Sequence, residues 1–146
     1  GGGLKAAAPL LAPGQVLTLN ADAIWIGPNP VATLRAAPPP PGGARLLLVP
    51  ADRARGHGGR GDFFLGDDGR LTRRGAADSA PYVYTGAQII DPAPVCAWPE
   101  TVFSLNPVWN AMLDAGLLRG AVHPGDWCDV GQPESIPLAE ALLADG

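Results

Sequence analysis

Two aspartates offer the first chemistry that can be read from this chain. Asp22 follows the apolar run Val16 to Leu19 through Asn20 and Ala21, and Asp129 stands between Trp127 and Val130. A hard divalent cation such as Mg²⁺ takes oxygen ligands, commonly one or two carboxylates completed by substrate phosphates and water. Two aspartates brought together from distant segments would meet that need. By residue type alone, an aspartate behind a strand is more often a turn or cap residue. The pair therefore depends on the elements that would carry it.

Other groups are open to more than one reading. His57, Gly58, Gly59 and Arg60 could form an anion-binding nest, since glycine-rich turns expose several amides to one anion; the plainer reading is a mobile surface loop. Arg60, Gly61 and Asp62 spell an adhesion tripeptide that recurs by chance, and it is discounted. His123, before Pro124, is a candidate acid or base or, more simply, a structural histidine at a strand end. Trp25, Trp98, Trp109 and Trp127 read as core anchors. Trp127 has the added interest of its place beside Asp129.

The elements that must position these residues follow from periodicity and punctuation. Val16 to Leu19 lacks polar alternation, which suits a strand covered on both faces in a parallel sheet. Asp22 then stands beyond the carboxyl end of a strand, where open α/β sheets place their ligands. Asn29 and Pro30 form a cap and first-turn proline opening a short helix through Ala37. Pro38 to Gly43 is a stiff loop, and Arg45 to Val49 is a second apolar strand. Strand, helix and strand make a β-α-β crossover, right-handed by rule.

Phe63 to Thr72 reads as a hairpin turning at Gly66 to Gly69, and Tyr82 to Ile90 as a further strand. Gly86 within that strand marks a bulge or a ligand lying against the backbone, and the ligand is the reading favoured here. Ser104 caps a helix whose Leu105, Val108, Trp109, Met112 and Leu113 share one face, with Gly116 closing it. Leu117 to Val122 is a strand. Pro133 opens a last helix through Leu143, strained by Pro137, with Ile136, Ala139, Leu142 and Leu143 on one side. Leu4 to Leu11 forms two turns of helix weakened by Pro9.

Composition narrows the class. With 146 residues and 47% apolar content the chain suits one core, so residues 1–146 are read as one domain or part of one. Ten basic against 14 acidic residues give net charge −4, the wrong sign for a face that neutralises nucleic-acid phosphates. The 17 prolines and 20 glycines fall between apolar segments and act as punctuation, apart from the Pro38 to Gly43 loop. Cys96 and Cys128 show neither zinc-knuckle spacing nor a disulfide framework, which suits a reducing, cytoplasmic setting. No apolar run approaches the ~20 residues of a membrane span. Neither a nucleic-acid nor a membrane partner is expected.

Three short motifs in order carry a resemblance. Leu17 to Asp22, L-T-L-N-A-D, is similar to the strand ending in N-G-D of sugar-1-phosphate nucleotidyltransferases; Tyr84, Thr85 and Gly86 resemble their T-G strand; and Trp127 to Gln132, W-C-D-V-G-Q, resembles their W-x-D-x-G-T element. Gly1, Gly2, Gly3 and Leu4 look like the family's glycine-rich turn that lies against the nucleobase. Gly61, Asp62 and Phe63 match the G-D-F of the short bacterial N-acetylmuramate 1-phosphate uridylyltransferase type, and Phe103 to Leu113 matches the helix before their last metal aspartate.

The resemblance implies an α/β fold: a Rossmann-like mixed, mostly parallel sheet flanked by helices, of which this chain is the carboxyl-terminal portion. It implies that Asp22 and Asp129 hold Mg²⁺ and are the catalytic pair. Gly2, Gly3 and Asn20 would lie on the nucleotide side, and Gly61, Asp62, Tyr84 and Thr85 on the sugar side. The substrates implied are a nucleoside triphosphate, UTP before GTP, and a sugar 1-phosphate. The chain departs from the family in two places. The amino-terminal phosphate loop with its arginine and lysine is absent, so that segment is needed for catalysis. In addition, Thr72, Arg73, Arg74 and Gly75 replace the sugar-contacting E-K-P of larger relatives. Two alternatives remain open: a catalytically silent nucleotide-binding or regulatory domain, and an enzyme closer to mannose-1-phosphate guanylyltransferases.

Overall fold

The computed structural model describes residues 1–144. Its main sheet is built around β7 (Tyr82–Ile90), the longest strand and buried along most of its length. The antiparallel partners of β7 are β3 (Ala44–Pro50) on one side and, on the other, β1 (Val16–Leu19) at its carboxyl end and β5 (Phe63–Leu65) at its start. β6 (Leu71–Arg73) completes a hairpin with β5, and β8 (Leu118–Val122) pairs parallel with β3. β1, β3, β5 and β8 consequently run in one direction, while β7 and β6 oppose them. The fold is α/β with a mixed sheet, but because β7 sits at the centre most of the pairings are antiparallel.

The expected doubly covered parallel strand at Val16 to Leu19 is instead an antiparallel edge strand, buried at Val16 and exposed by Leu19. Its run of apolar residues reflects a core on one face and partial cover on the other. The helix expected after Asn29 is α2 (Pro30–Arg35), shorter than expected. The Asn29 side chain accepts from the Val31 N–H at 2.9 Å, satisfying one of the free amides of the first turn. β1, α2 and β3 form the expected crossover, with β7 lying between the two strands.

α4 (Asn106–Asp114) covers one face of the sheet, packing Val108, Trp109 and Met112 against Leu46, Leu48, Ile90 and Leu118. Ser104 Oγ accepts from the Asn106 N–H at 3.1 Å, and beyond the helix the Leu117 N–H returns to the Met112 carbonyl, the expected glycine-closed ending at Gly116. The short helices α1 (Gly2–Ala7) and α3 (Ala93–Cys96) lie on the same side. On the other face, Leu34 of α2 packs against Leu47, Ala87 and Ile89.

A second sheet, of β2 (Ala23–Ile26), β9 (Asp126–Asp129) and the two-residue β4 (Ala54–Arg55), is not evident in the sequence. It has the order β2-β9-β4 and rests on the main sheet where Trp127 meets Val49 and Val83. α5 (Ile136–Ala144) packs against this sheet after a 3-10 turn at Pro133–Ser135. Pro137 sits in the first turn of α5, where no amide is required, so it introduces no strain. Of the residues expected on the inner side of that helix, Ala139 is buried, whereas Ile136 and Leu143 are 49% and 59% exposed.

The amino-terminal glycines form no turn. Gly2 and Gly3 begin α1, which runs into a 3-10 turn at Ala8–Leu10 that accommodates Pro9. Glycine is a poor helix former, so tertiary contacts must hold this segment. The Gly2 N–H donates to the Phe103 carbonyl at 3.1 Å, and the Lys5 ammonium donates to the carbonyls of Trp98 and Glu100.

Candidate active site

Asp22 and Asp129 meet where the chain passes from the main sheet to the second one. Asp22 lies in the link between β1 and β2, and β2 pairs with β9 so that Ala23 stands opposite Asp129. The Val130 N–H donates to the Asp22 carbonyl at 2.8 Å, extending the pairing by one residue and placing both aspartates at one end of the ladder. Gly131 lies between the carboxylates. A methyl group on its Cα would stand 3.0 Å from Asp129 Oδ1 and 3.2 Å from Asp22 Oδ2, so the two oxygens are no farther apart than those two legs together. Asp129 Oδ1 accepts from the Gly131 N–H at 2.8 Å, which orients it; Asp22 is exposed and Asp129 half-buried.

No group of three or more acidic, histidine or cysteine side chains suited to a metal exists among the described residues. Two oxygen-donating carboxylates around one point fit Mg²⁺, which commonly keeps several water or phosphate ligands, and do not fit a metal that demands a full protein cage. The Trp127 indole N–H donates to the Thr85 carbonyl at 3.1 Å, tying the second sheet to β7, and the His57 ring packs 6.3 Å from that of Trp127. His57 is half-buried with its ring toward Trp127, while Gly58, Gly59 and Arg60 are exposed in a surface loop. Burial, reinforced by the charge of Asp129, pushes the Cys128 thiol up, so it remains protonated and unreactive.

A cavity of about 470 Å³ opens on the α4 face of the sheet. Gly3, Asn20 and Tyr84 line it together with Thr18, Gln88 and Trp109. The nucleotide-side residues Gly3 and Asn20 and the sugar-side residue Tyr84 thus share one space, connected through Asn20 and Ala21 to Asp22. The Tyr84 ring meets Trp109 edge-on at 5.0 Å, and burial drives its hydroxyl well above the ordinary phenol value, leaving it a proton donor. Gly2 does not line the cavity: its N–H is taken by Phe103, and a side chain there would collide with the Thr101 carbonyl.

The remaining sugar-side candidates serve the scaffold. Thr85 is fully buried and its hydroxyl donates to the Leu47 carbonyl at 3.0 Å. Gly61 is buried with positive φ against the Ala80 carbonyl, and its own carbonyl accepts from Arg74 at 3.1 Å. Asp62 Oδ2 accepts from the Tyr84 N–H at 2.9 Å, so this carboxylate fixes the start of β7 beside Tyr84. Gly86 is a bulge: Leu46 pairs with Gln88 and Leu48 with Tyr84, leaving β7 with extra residues between. What lies against its backbone is Asn20, whose N–H donates to the Gly86 carbonyl at 2.9 Å. His123 is structural, fully buried with Nε2 at 3.0 Å from the Ile26 carbonyl.

Thr18, Gln88 and Lys5 were not singled out by sequence. Gln88 is a polar side chain in an otherwise apolar buried stretch, and that is the signal that could have found it.

No model of a protein family matches the chain. Over 148 aligned positions it is 36% identical to the N-acetylmuramate alpha-1-phosphate uridylyltransferase of Caulobacter vibrioides, a match covering 99% of this chain and 61% of the relative. The chain thus spans about three fifths of the length of the curated relative it matches. Among solved structures, a Bacillus anthracis protein named as a glucose-1-phosphate thymidylyltransferase, in complex with a sucrose, superposes with a TM-score of 0.70 at 18% identity, over 98% of this chain and 60% of that one. HddC from Yersinia pseudotuberculosis, complexed with GMP-PN, gives 0.67 at 15% identity over 99% of this chain and 61% of its own. The inositol-1-phosphate CTP transferase from T. maritima gives 0.66 at 15% identity, over 96% and 59%. The chain therefore has the nucleotide-diphospho-sugar transferase fold and is similar, over nearly its whole length, to a sugar-1-phosphate nucleotidyltransferase.

Proposed function

We propose that residues 1–146 are the carboxyl-terminal portion of a nucleotidyltransferase domain that moves a nucleotidyl group from a nucleoside triphosphate, UTP by preference, to a sugar 1-phosphate, releasing pyrophosphate. The observation that carries this reading is the meeting of Asp22 and Asp129 around Gly131, beside a cavity that holds Gly3, Asn20 and Tyr84. The preference for UTP, and for a sugar of the N-acetylmuramate kind as acceptor, rests on the Caulobacter relative.

Asp22 and Asp129 would hold Mg²⁺. When bound, Mg²⁺ supplies charge neutralisation for the phosphates. The chain itself binds and orients. The Gly131 N–H fixes Asp129, the Val130–Asp22 bond fixes the spacing of the pair, and the cavity seats the organic part of a substrate at their side. A sugar 1-phosphate oxygen then attacks the α-phosphorus in line as the bond to the pyrophosphate oxygen breaks. Positioning and electrostatics contribute most of the rate in such a reaction. The arginine and lysine that cradle a triphosphate in the resembled family are absent from these residues, so a further segment must supply them and the chain alone is inactive. Among the described residues β1 pairs with β7 alone, which leaves its other edge open next to Asp22.

The test is pyrophosphate release by the full-length protein containing this chain, supplied with UTP, Mg²⁺ and N-acetylmuramate 1-phosphate. Turnover that is lost in Asp22→Asn and Asp129→Asn supports the reading. Turnover unchanged by both substitutions sinks it.

A further inference from the structure

The floor of the cavity contains a polar group that its surroundings orient without using up. Gln88 is 1% exposed, in the middle of β7, and its Oε1 accepts from the Trp109 indole N–H at 3.1 Å. An indole N–H only donates, so this bond fixes which end of the amide faces α4. Gln88 lines the cavity, and its NH₂ end, which is not among the buried atoms left without a partner, remains a donor available there. Thr18, directly across from Gln88 in the β1–β7 register, and Tyr84 bring two hydroxyls to the same cavity.

No acidic or basic side chain is found among the described lining residues. A carboxylate or ammonium entering this cavity would meet no countercharge on the described lining side chains. A neutral carbonyl needs only donors, which Gln88, Tyr84 and Thr18 supply. Leu4, Leu105 and the Trp109 ring add an apolar wall suited to a methyl group. The Asn20 side-chain amide can accept one further N–H.

We propose that the Gln88–Trp109 pair is the specificity element of this cavity and reads a neutral acylamino substituent on the sugar: its carbonyl on the Gln88 NH₂, its methyl on the leucine and indole wall. Gln88 contacts the substrate, and Trp109 is a positioning residue that holds the amide in its useful orientation. This rests on the sugar 1-phosphate reading above, and the test separates the two.

The full-length protein is assayed with N-acetylglucosamine 1-phosphate and glucose 1-phosphate, which differ at carbon 2. Gln88→Glu keeps the acceptor for Trp109 and removes the NH₂ donor; Gln88→Leu checks the result without added charge. In both variants the ratio of kcat/KM for the N-acetylated sugar to that for glucose 1-phosphate falls about tenfold or more, through KM of the N-acetylated sugar. Trp109→Phe shifts the same ratio in the same direction, by less. Equal losses on both sugars, or an unchanged ratio, overturn the proposal. If the wild type turns over neither sugar, calorimetry with N-acetylglucosamine 1-phosphate decides the cavity separately, and the nucleotidyltransferase reading itself fails only if N-acetylmuramate 1-phosphate is not turned over either. Binding by the wild type that is lost in Gln88→Glu upholds the pair, and no binding by the wild type overturns it.

Discussion

The Val130 N–H and the Asp22 carbonyl are joined at 2.8 Å, and through that bond two carboxylates more than a hundred residues apart are held to a fixed spacing. If both carboxylates hold one cation, as proposed, their effects are non-additive, because removing either ligand already destroys the site. Asp22→Asn and Asp129→Asn should each lower turnover on the order of 10²-fold or more, and the double variant should be little worse than the poorer single one. Titrating Mg²⁺ in the pyrophosphate assay checks this directly. Multiplying losses would mean that the two aspartates act independently.

Gly131 provides a sharper test because it leaves both carboxylates in place. A methyl group added there would stand 3.0 Å from Asp129 Oδ1 and 3.2 Å from Asp22 Oδ2, closer than carbon and oxygen sit in comfort. Gly131→Ala should therefore spread the pair and raise the Mg²⁺ concentration needed for half-maximal turnover, with a change in thermal midpoint of a few degrees at most, since the residue is exposed. An unaltered Mg²⁺ dependence would show that this glycine does not govern the gap.

These residues also show how much of the molecule was legible in its sequence. Asp22 and Asp129 were readable because each follows or ends a short apolar run in a recognisable motif. The caps at Asn29 and Ser104 were readable because capping is local, decided by side-chain oxygens within two residues of the amides they serve. The second sheet was not, since Ala23–Ile26 has no alternation and its partner Asp126–Asp129 lies far along the chain. Nor was the helical state of Gly2 and Gly3. Their propensity argues against helix, and it is overruled by bonds from Gly2 to Phe103 and from Lys5 to Trp98 and Glu100 and by packing of Leu4 on the core. Gln88 acquires its meaning from Trp109, a neighbour that only the folded chain provides.

At Gly86, conformation and crowding act together. Its φ of +82° lies in the left-handed region, and an added Cβ would stand 2.7 Å from Asn20 Cγ. Gly86→Ala should cost about 1–3 kcal/mol for the backbone alone. Displacing Asn20 should also disturb the path to Asp22. The expected result is a lower denaturation midpoint together with a raised KM. A variant equally stable but slower would place the whole effect in Asn20.

Tyr84 makes stability sensitive to alkali. Burial beneath Trp109 raises its hydroxyl above the ordinary phenol value of 10.0, so the folded chain keeps a proton that the unfolded chain gives up. Once pH passes that ordinary value, the unfolded state binds fewer protons than the folded one, and stability falls as pH rises. Below it, both states are protonated and Tyr84 contributes no slope. Denaturation midpoints measured from pH 8 to pH 12 should therefore fall beyond about pH 10 in the wild type, and fall less steeply in Tyr84→Phe. Because that substitution also removes a cavity hydroxyl, the slope with pH is the quantity to compare. Parallel slopes in the two proteins would show that the phenol is not what destabilises the chain in alkali.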